Sequence, residues 1–169
     1  MTLQQATEKD IPLIQELARR SWENAYAEIL SPEQMEYMLT TMYSHDEIAD
    51  HLNNPNYHYH LVISEDDSPE GFIGFEHGYE EGTTKLHRIY LVPESKGKGY
   101  GKKSLEFLKE QTGKAGDNRI ILNVNKYNSA RKFYESQGYK VYDQGVFDIG
   151  NGYVMDDYLM EILTHTDRT

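Results

Sequence analysis

Apolar positions in the first fifty residues recur at the spacing of amphipathic helices. A first helix is predicted by the apolar residues that repeat every three or four positions, Ile11, Ile14, Ala18, Trp22 and Ala25. The segment Ser-Pro-Glu-Gln at 31–34 predicts the start of a second helix, because serine caps a helix and proline fits its first turn. A third, short helix is expected over residues 45–52.

After residue 56 the pattern changes to short apolar runs that are typical of strands. We expect strands over 57–64 and 72–79, joined as a hairpin by the polar loop 65–71. Further strands are predicted over residues 85–92, 119–125, 139–142 and 153–163. Helices are expected between them, at about 101–112 and at 128–137, and Gly138 ends the second one. This order predicts one domain, residues 1–169, with a mixed α/β (α+β) sheet.

Composition narrows the classes of function. A chain of 169 residues is long enough for a core of its own, and its lack of cysteine excludes disulfides, thiolate metal sites and a cysteine nucleophile. We see no signal peptide and no apolar run of about 20 residues, so we expect a cytoplasmic protein without a membrane partner. The net charge of -11 argues against nucleic acid, favours solubility and attracts cationic ligands.

The strongest motif is a glycine-rich turn after the strand predicted over 85–92. Gly97, Gly99 and Gly101 alternate before a predicted helix, where glycine permits positive φ and lets the backbone approach a ligand. Amides at the start of the helix favour an anion, and positive charge is added by Lys96, Lys98, Lys102 and Lys103. The spacing fits neither the P-loop nor the dinucleotide motif. We therefore expect a pyrophosphate ligand, and the alternative is a flexible loop without one.

Two segments together resemble the GNAT N-acetyltransferase superfamily. Lys96-x-x-Gly99-x-Gly101 is similar to its acetyl-coenzyme A loop, Q/R-x-x-G-x-G/A, although Lys96 replaces the usual first residue with another donor. The segment 128–139 resembles the family's second motif, N-x-x-A-x-x-F-Y-x-x-x-G-F/Y. The part from Ala130 to Tyr139 matches at every marked position, whereas Asn128 lies one residue closer to the alanine than the pattern has it. Read without the family, Asn128 is a natural helix cap and Tyr134 an ordinary core tyrosine.

The resemblance implies a fold and a co-substrate. The fold is a mostly antiparallel central sheet with flanking helices, in which the parallel strands 4 and 5 splay apart; here these are residues 85–92 and 119–125. The co-substrate is acetyl-coenzyme A, and no metal is expected. The residues that the resemblance assigns to its binding are Ile89, Leu91, Val92, Lys96, Gly97, Lys98, Gly99, Tyr100, Gly101, Lys102, Asn128 and Tyr134.

The resemblance also implies catalytic roles. Tyr134 matches the tyrosine that family members place beside the cofactor sulfur, where it protonates the leaving thiolate. Many relatives carry a glutamate as base where this chain has Lys85. His87 lies two residues further, on the same strand face, and is our candidate for the base or a relay. Glu76 and His77 are weaker candidates, so the base stays open.

The acceptor is suggested by the two ends of the chain. Residues 22–26, followed by Ser31-Pro32, and the segment 148–161 resemble bacterial polyamine (spermidine/spermine) acetyltransferases. A primary amine of a small cationic molecule is therefore expected, with substrate-side candidates Tyr26, Glu28, Tyr37, Glu76 and Asp148. Each of these is otherwise an ordinary surface residue, and Asp156 and Asp157 are interpreted as structural. Alternatives are a protein or peptide acceptor, or a coenzyme A-binding regulator without turnover, and a homodimer is possible.

Overall fold

The computed structural model describes residues 1–164 of the chain. In that part the helices are α1 (Ile11–Ala25), α2 (Pro32–Met42), α3 (His45–Asn53), α4 (Tyr100–Lys114) and α5 (Ala130–Ser136). The strands are β1 (Thr2–Gln5), β2 (Tyr57–Ile63), β3 (Pro69–Glu80), β4 (Thr83–Leu91), β5 (Arg119–Asn125), β6 (Lys140–Gly150) and β7 (Tyr153–Leu163). These strands follow the order β1-β2-β3-β4-β5-β7-β6.

The chain divides into two compact units. The first unit contains Met1–Glu76 and His87–Phe107, and the second contains His77–Leu86 and the chain from Leu108 onward. β3 and β4 each contribute residues to both units, and α4 passes from the first into the second.

In the first unit, an antiparallel sheet carries an aromatic core. β1 pairs with β2 and β2 pairs with β3, so Tyr59 lies opposite Gly74 and Tyr57 opposite Glu76. The rings of Trp22 in α1 and Phe72 in β3 are fully buried. The predicted start of α2 is confirmed, because the Ser31 hydroxyl accepts a hydrogen bond from the Gln34 amide at 3.1 Å.

In the second unit, β4 and β5 run parallel while β5-β7-β6 are antiparallel. The parallel ladder joins Thr83–Leu86 to 119–122, so it pairs four of the nine residues of β4. This confirms the mostly antiparallel sheet with parallel fourth and fifth strands. Gly138 has φ of 97°, which ends α5 as predicted.

Three local expectations were wrong. β1 was missed, because its four residues, Thr-Leu-Gln-Gln, carry one apolar side chain and show no alternation. β6 continues to Gly150, well beyond the predicted end at residue 142. The N-cap of α5 is Ser129 instead of Asn128, although the Asn128 Oδ1 still accepts a hydrogen bond from the Ala130 amide at 2.9 Å.

Candidate active site

The glycine-rich turn leads directly into α4. After a short turn of 3-10 helix at Pro93–Ser95, Gly97 and Gly99 adopt positive φ of 86° and 76°. Apart from its two chain neighbours, no described residue has an atom within 4 Å of where a Cβ would stand at either glycine, so the backbone is bare on that side. Gly101 is already inside α4, which begins at Tyr100. The turn therefore has the open, left-handed backbone expected of an anion-binding loop.

The positive charge available at this turn is smaller than the four lysines of the sequence predict, because one of them is paired. The Lys98 ammonium donates to both oxygens of Glu70, at 3.1 and 3.3 Å. This hydrogen bonding raises the pKa of Lys98. Lys98 is exposed, but the buried carboxylate of Glu70 partly neutralises its charge. The other three lysines near the turn, Lys96, Lys102 and Lys103, are exposed as well. We infer that these three supply most of the positive charge available to a ligand.

The end of β4 is fixed against β3 by a close backbone approach. A Cβ at Gly71 would stand 2.3 Å from the Tyr90 carbonyl oxygen, so no other residue fits there without a shift. The Val92 amide donates to the Glu70 carbonyl at 2.8 Å. Three residues that the sequence assigned to the cofactor lie here: Ile89 and Leu91 in β4, and Val92 directly after its end.

The structure brings two predicted residues together in the first unit. The Nε2 of His87 lies 3.0 Å from the Oε1 of Glu76, and both side chains are half-buried. Because a carboxylate only accepts hydrogen bonds, this contact places the proton of a neutral imidazole on Nε2 and its lone pair on Nδ1. The sequence had proposed these residues separately, as a base and as a substrate contact.

His87 also ends a stack of three rings. Tyr57 lies between the two imidazoles, with ring centroids 4.1 Å from His51 and 4.9 Å from His87. The neighbour of His87, Arg88, bonds to Tyr59, which is on the same sheet face as Tyr57. Successive side chains of a regular strand point to opposite faces, so β4 departs from regular alternation at His87–Arg88.

Arg88 is a buried cation that the sequence analysis did not single out. Its Nη1 donates to the Tyr59 hydroxyl at 2.9 Å and its Nη2 donates to the Met42 carbonyl at 2.7 Å. Its guanidinium also lies 4.1 Å from the ring centroid of Tyr43. Burial opposes its charge, but the surrounding tyrosines raise the pKa of Arg88, so it is cationic. The one sequence signal for this role is that Arg88 occupies a position of β4 where strand alternation predicts an apolar residue.

This cation affects the histidine beside it. The Nδ1 of His51 lies 2.9 Å from the Tyr59 hydroxyl, and Glu47 is 3.3 Å from its other nitrogen. Burial lowers the pKa of His51, and the charge of Arg88 lowers it further. Burial also raises the pKa of Tyr59. The neutral forms of these rings are therefore favoured near neutral pH.

The second unit holds the other motif. Tyr134 in α5 is buried, with its ring centroid 5.9 Å from that of Tyr139 and 5.8 Å from that of Phe133. The Tyr139 amide donates to the Tyr134 carbonyl at 3.0 Å. Asn128 orders the start of α5 through its side-chain oxygen. These contacts hold α5 in place, and the roles of both residues toward the cofactor stay predictions.

Three of the remaining substrate-side candidates lie in or just after helices α1 and α2. Tyr26 is buried, with its ring centroid 4.8 Å from that of Trp22, and Glu28 is exposed after the end of α1. Tyr37 is half-buried in α2. A cavity of about 410 Å³ beside α1 and α2 is lined by Glu23 and Glu36, among others. Their part in substrate binding stays a prediction.

The described residues contain neither a membrane-spanning helix nor a metal-binding cluster. No helix within residues 1–164 combines the length and apolar character needed to cross a membrane. Over the same range, no group of three or more histidine, aspartate and glutamate side chains is arranged to hold a metal ion.

Several known proteins are similar to this chain. A spermidine N(1)-acetyltransferase of Thermoplasma acidophilum is 28% identical over 150 residues, covering 88% of this chain and 91% of that protein. An N-acetyltransferase of Lactobacillus delbrueckii subsp. lactis, described as uncharacterized, is 25% identical and covers 94% of this chain and 95% of its own length. The crystal structure of PaiA N-acetyltransferase from T. acidophilum in complex with coenzyme A superposes with a TM-score of 0.79 at 27% identity, covering 95% and 98% of the two chains.

The family model of the GNAT acetyltransferases matches residues 13–139. This match extends from α1 through the glycine-rich turn to the Tyr134 motif, so it contains both segments that carried the resemblance. The chain therefore belongs to the GNAT family of acetyltransferases.

Proposed function

We propose that this N-acetyltransferase transfers the acetyl group of acetyl-coenzyme A to a primary amine of a polyamine or another small cationic amine. We also propose that residues 1–169 form a single GNAT acetyltransferase domain. The observation that carries the acceptor class is the 28% identity, over 88% of the chain, to a spermidine N(1)-acetyltransferase. The net charge of -11 supports it, because a negative field raises the local concentration of cations.

The donor is proposed to bind through its pyrophosphate at the glycine-rich turn. The bare, left-handed backbone at Gly97 and Gly99 suits the close approach of an anion, and the exposed lysines at 96, 102 and 103 add charge. Backbone groups around Ile89 and Leu91 would align the pantetheine arm. An amide there would stabilise the negative charge that develops on the thioester oxygen.

The proposed reaction needs one base and one acid. His87, with its Nε2 on Glu76, accepts the proton of the acceptor ammonium at Nδ1, and the neutral amine attacks the thioester carbon. A C–N bond forms, the C–S bond breaks, and Tyr134 donates its phenolic proton to the thiolate. The nitrogen of the new amide loses its second proton to solvent. Solvent then reprotonates Tyr134 and removes the proton from His87. No covalent enzyme intermediate is required.

The proposal is tested by thiol release from acetyl-coenzyme A in the presence of single amines. We expect saturable release with spermidine and spermine, and a product mass increased by one acetyl group. Release only with peptides or unrelated amines would keep the enzyme and refute the polyamine assignment. Coenzyme A binding without release on any amine or peptide would favour a regulator.

Tyr134→Phe tests the proposed acid. Loss of a positioned proton donor should lower kcat by about 10- to 100-fold, while coenzyme A affinity changes little. Tyr139→Phe is the matched control, since this neighbouring buried tyrosine has a hydroxyl without a hydrogen-bond partner among the described residues. Steady-state kinetics and calorimetric binding measure both effects. Equal turnover in Tyr134→Phe and Tyr139→Phe would remove Tyr134 from the mechanism.

His87→Gln tests the proposed base. We expect kcat to fall by about 100-fold, the lower end of the range for general bases, with a smaller fall for Glu76→Gln because the imidazole loses only its orienting partner. His58→Gln, a substitution in β2 of the same sheet, controls for the loss of an imidazole. If the turnover of His87→Gln matches that of His58→Gln, a different group takes the proton.

We also propose that a second copy of the chain covers one face of the β6–β7 hairpin. β6 is the edge strand, none of its residues is buried, and Val146 and Val154 are 63% and 51% exposed. Such an edge is a site for association. Light scattering should give twice the mass of one chain, and Val146→Asp should halve it. A monomeric wild-type protein would refute this assembly.

A further inference from the structure

A buried carboxylate in the second unit is not used by the mechanism above. Asp157 in β7 is 7% exposed, and its Oδ1 has no hydrogen-bond partner among residues 1–164. Burial raises the pKa of Asp157, and hydrogen bonding by Asn123 acts against this shift. An incompletely paired buried carboxylate is costly for a fold, so its presence needs a reason beyond structure.

The cations of this chain leave that oxygen available. Lys85 lies 4.7 Å from the ring centroid of Tyr79 and forms no ion pair with Asp157 in the described part of the chain. Lys126 lies 3.0 Å from Asp156, the preceding residue, whose side chain points to the opposite sheet face. The charge of Lys85 therefore acts on Asp157 only from a distance.

An aromatic ring covers the strand position opposite Asp157. In the β6–β7 ladder, Asp157 is directly opposite Gly145, which has no side chain. The ring of Phe147 fills the space that this glycine leaves, since a Cβ at Gly145 would stand 3.2 Å from its Cζ. Phe147 is 39% exposed and Asn123 is exposed as well, so solvent reaches the edge of the cluster.

A carboxylate beside an aromatic ring is the pair of groups that recognises an alkylammonium ion. The anion supplies a charge-assisted hydrogen bond, and the ring face attracts the same cation through its quadrupole. A neutral or anionic ligand would leave the carboxylate unpaired or repel it. The chemistry of the cluster therefore selects a protonated amine.

We propose that Asp157, together with Phe147, binds an ammonium group of the acceptor that is not itself acetylated. This inference rests on the proposed function, because it assumes an acceptor with at least two amines. It gives Asp157 the role of a specificity residue, whereas the sequence analysis had interpreted it as structural. It also explains how a polyamine is distinguished from a monoamine, which has no second charge to bind here.

Asp157→Asn tests this inference, because it removes the charge while keeping the shape. We expect KM for spermidine to rise by about 10- to 100-fold, the loss of one charge-assisted hydrogen bond, with kcat changed less than threefold. KM for butylamine should not change. The melting temperature should stay equal or rise at pH 7, because a carboxylate whose pKa burial has raised is destabilising above that pKa.

Two further variants complete the experiment. Asp156→Asn, which breaks the ion pair with Lys126, should leave KM for spermidine unchanged. Phe147→Leu, at an exposed position, should raise KM for spermidine by about 3- to 10-fold, as expected for an ammonium–ring contact.

The outcomes separate this inference from the proposed function. If the wild type acetylates spermidine but Asp157→Asn and Phe147→Leu keep its KM, the ammonium site is refuted and the activity stands. A lower melting temperature in Asp157→Asn, with KM for butylamine raised equally, would show a structural role and refute the site too. If the wild type acetylates no amine, the proposed function fails, and this inference fails with it.

Discussion

A buried cation needs hydrogen-bond acceptors around it, and in the first unit the buried guanidinium of Arg88 has this need. Its guanidinium binds the carbonyl at the end of α2, the Tyr59 hydroxyl in β2 and the face of Tyr43. These contacts tie the end of α2 and strand β2 to one point of β4. At His87–Arg88 the side chains of β4 do not alternate between the two faces of the sheet. Arg88 and His87 therefore lie on the same face, against Tyr59 and Tyr57 of β2. The proposed base thus sits on a rigid support.

Arg88 and Asp157 are buried ionisable groups of opposite sign with different surroundings. Arg88 has hydrogen-bond partners and an aromatic ring supplied by the chain itself. Asp157 keeps one oxygen without a partner in the described residues, although its neighbour Asp156 is paired with Lys126. Complete satisfaction indicates a structural role, and incomplete satisfaction at a solvent-accessible edge indicates a ligand. The difference distinguishes the scaffold from a binding site without reference to sequence motifs.

Much of the fold could be predicted from periodicity, caps and glycine positions, because these report local conformational preferences. The two motifs, around Gly99 and Tyr134, could be predicted because their spacing is short in sequence. The contact between His87 and Glu76, the neutralisation of Lys98 and the role of Arg88 could not, since each joins strands through a register that no local pattern specifies. The partner that the Asp157 Oδ1 lacks among the described residues could not be foreseen for the same reason, since it is visible only in the assembled β-sheet.

The central claim is that the glycine-rich turn serves a coenzyme A thioester and not a nucleotide in general. Calorimetric titration of the wild-type chain with acetyl-coenzyme A, and separately with ADP, tests it most directly. We expect one acetyl-coenzyme A per chain, bound at least about tenfold more tightly than ADP, because the pantetheine arm adds contacts along β4 (tenfold corresponds to about 1.4 kcal/mol). Equal affinity for the two ligands, or no binding of acetyl-coenzyme A, would contradict the account.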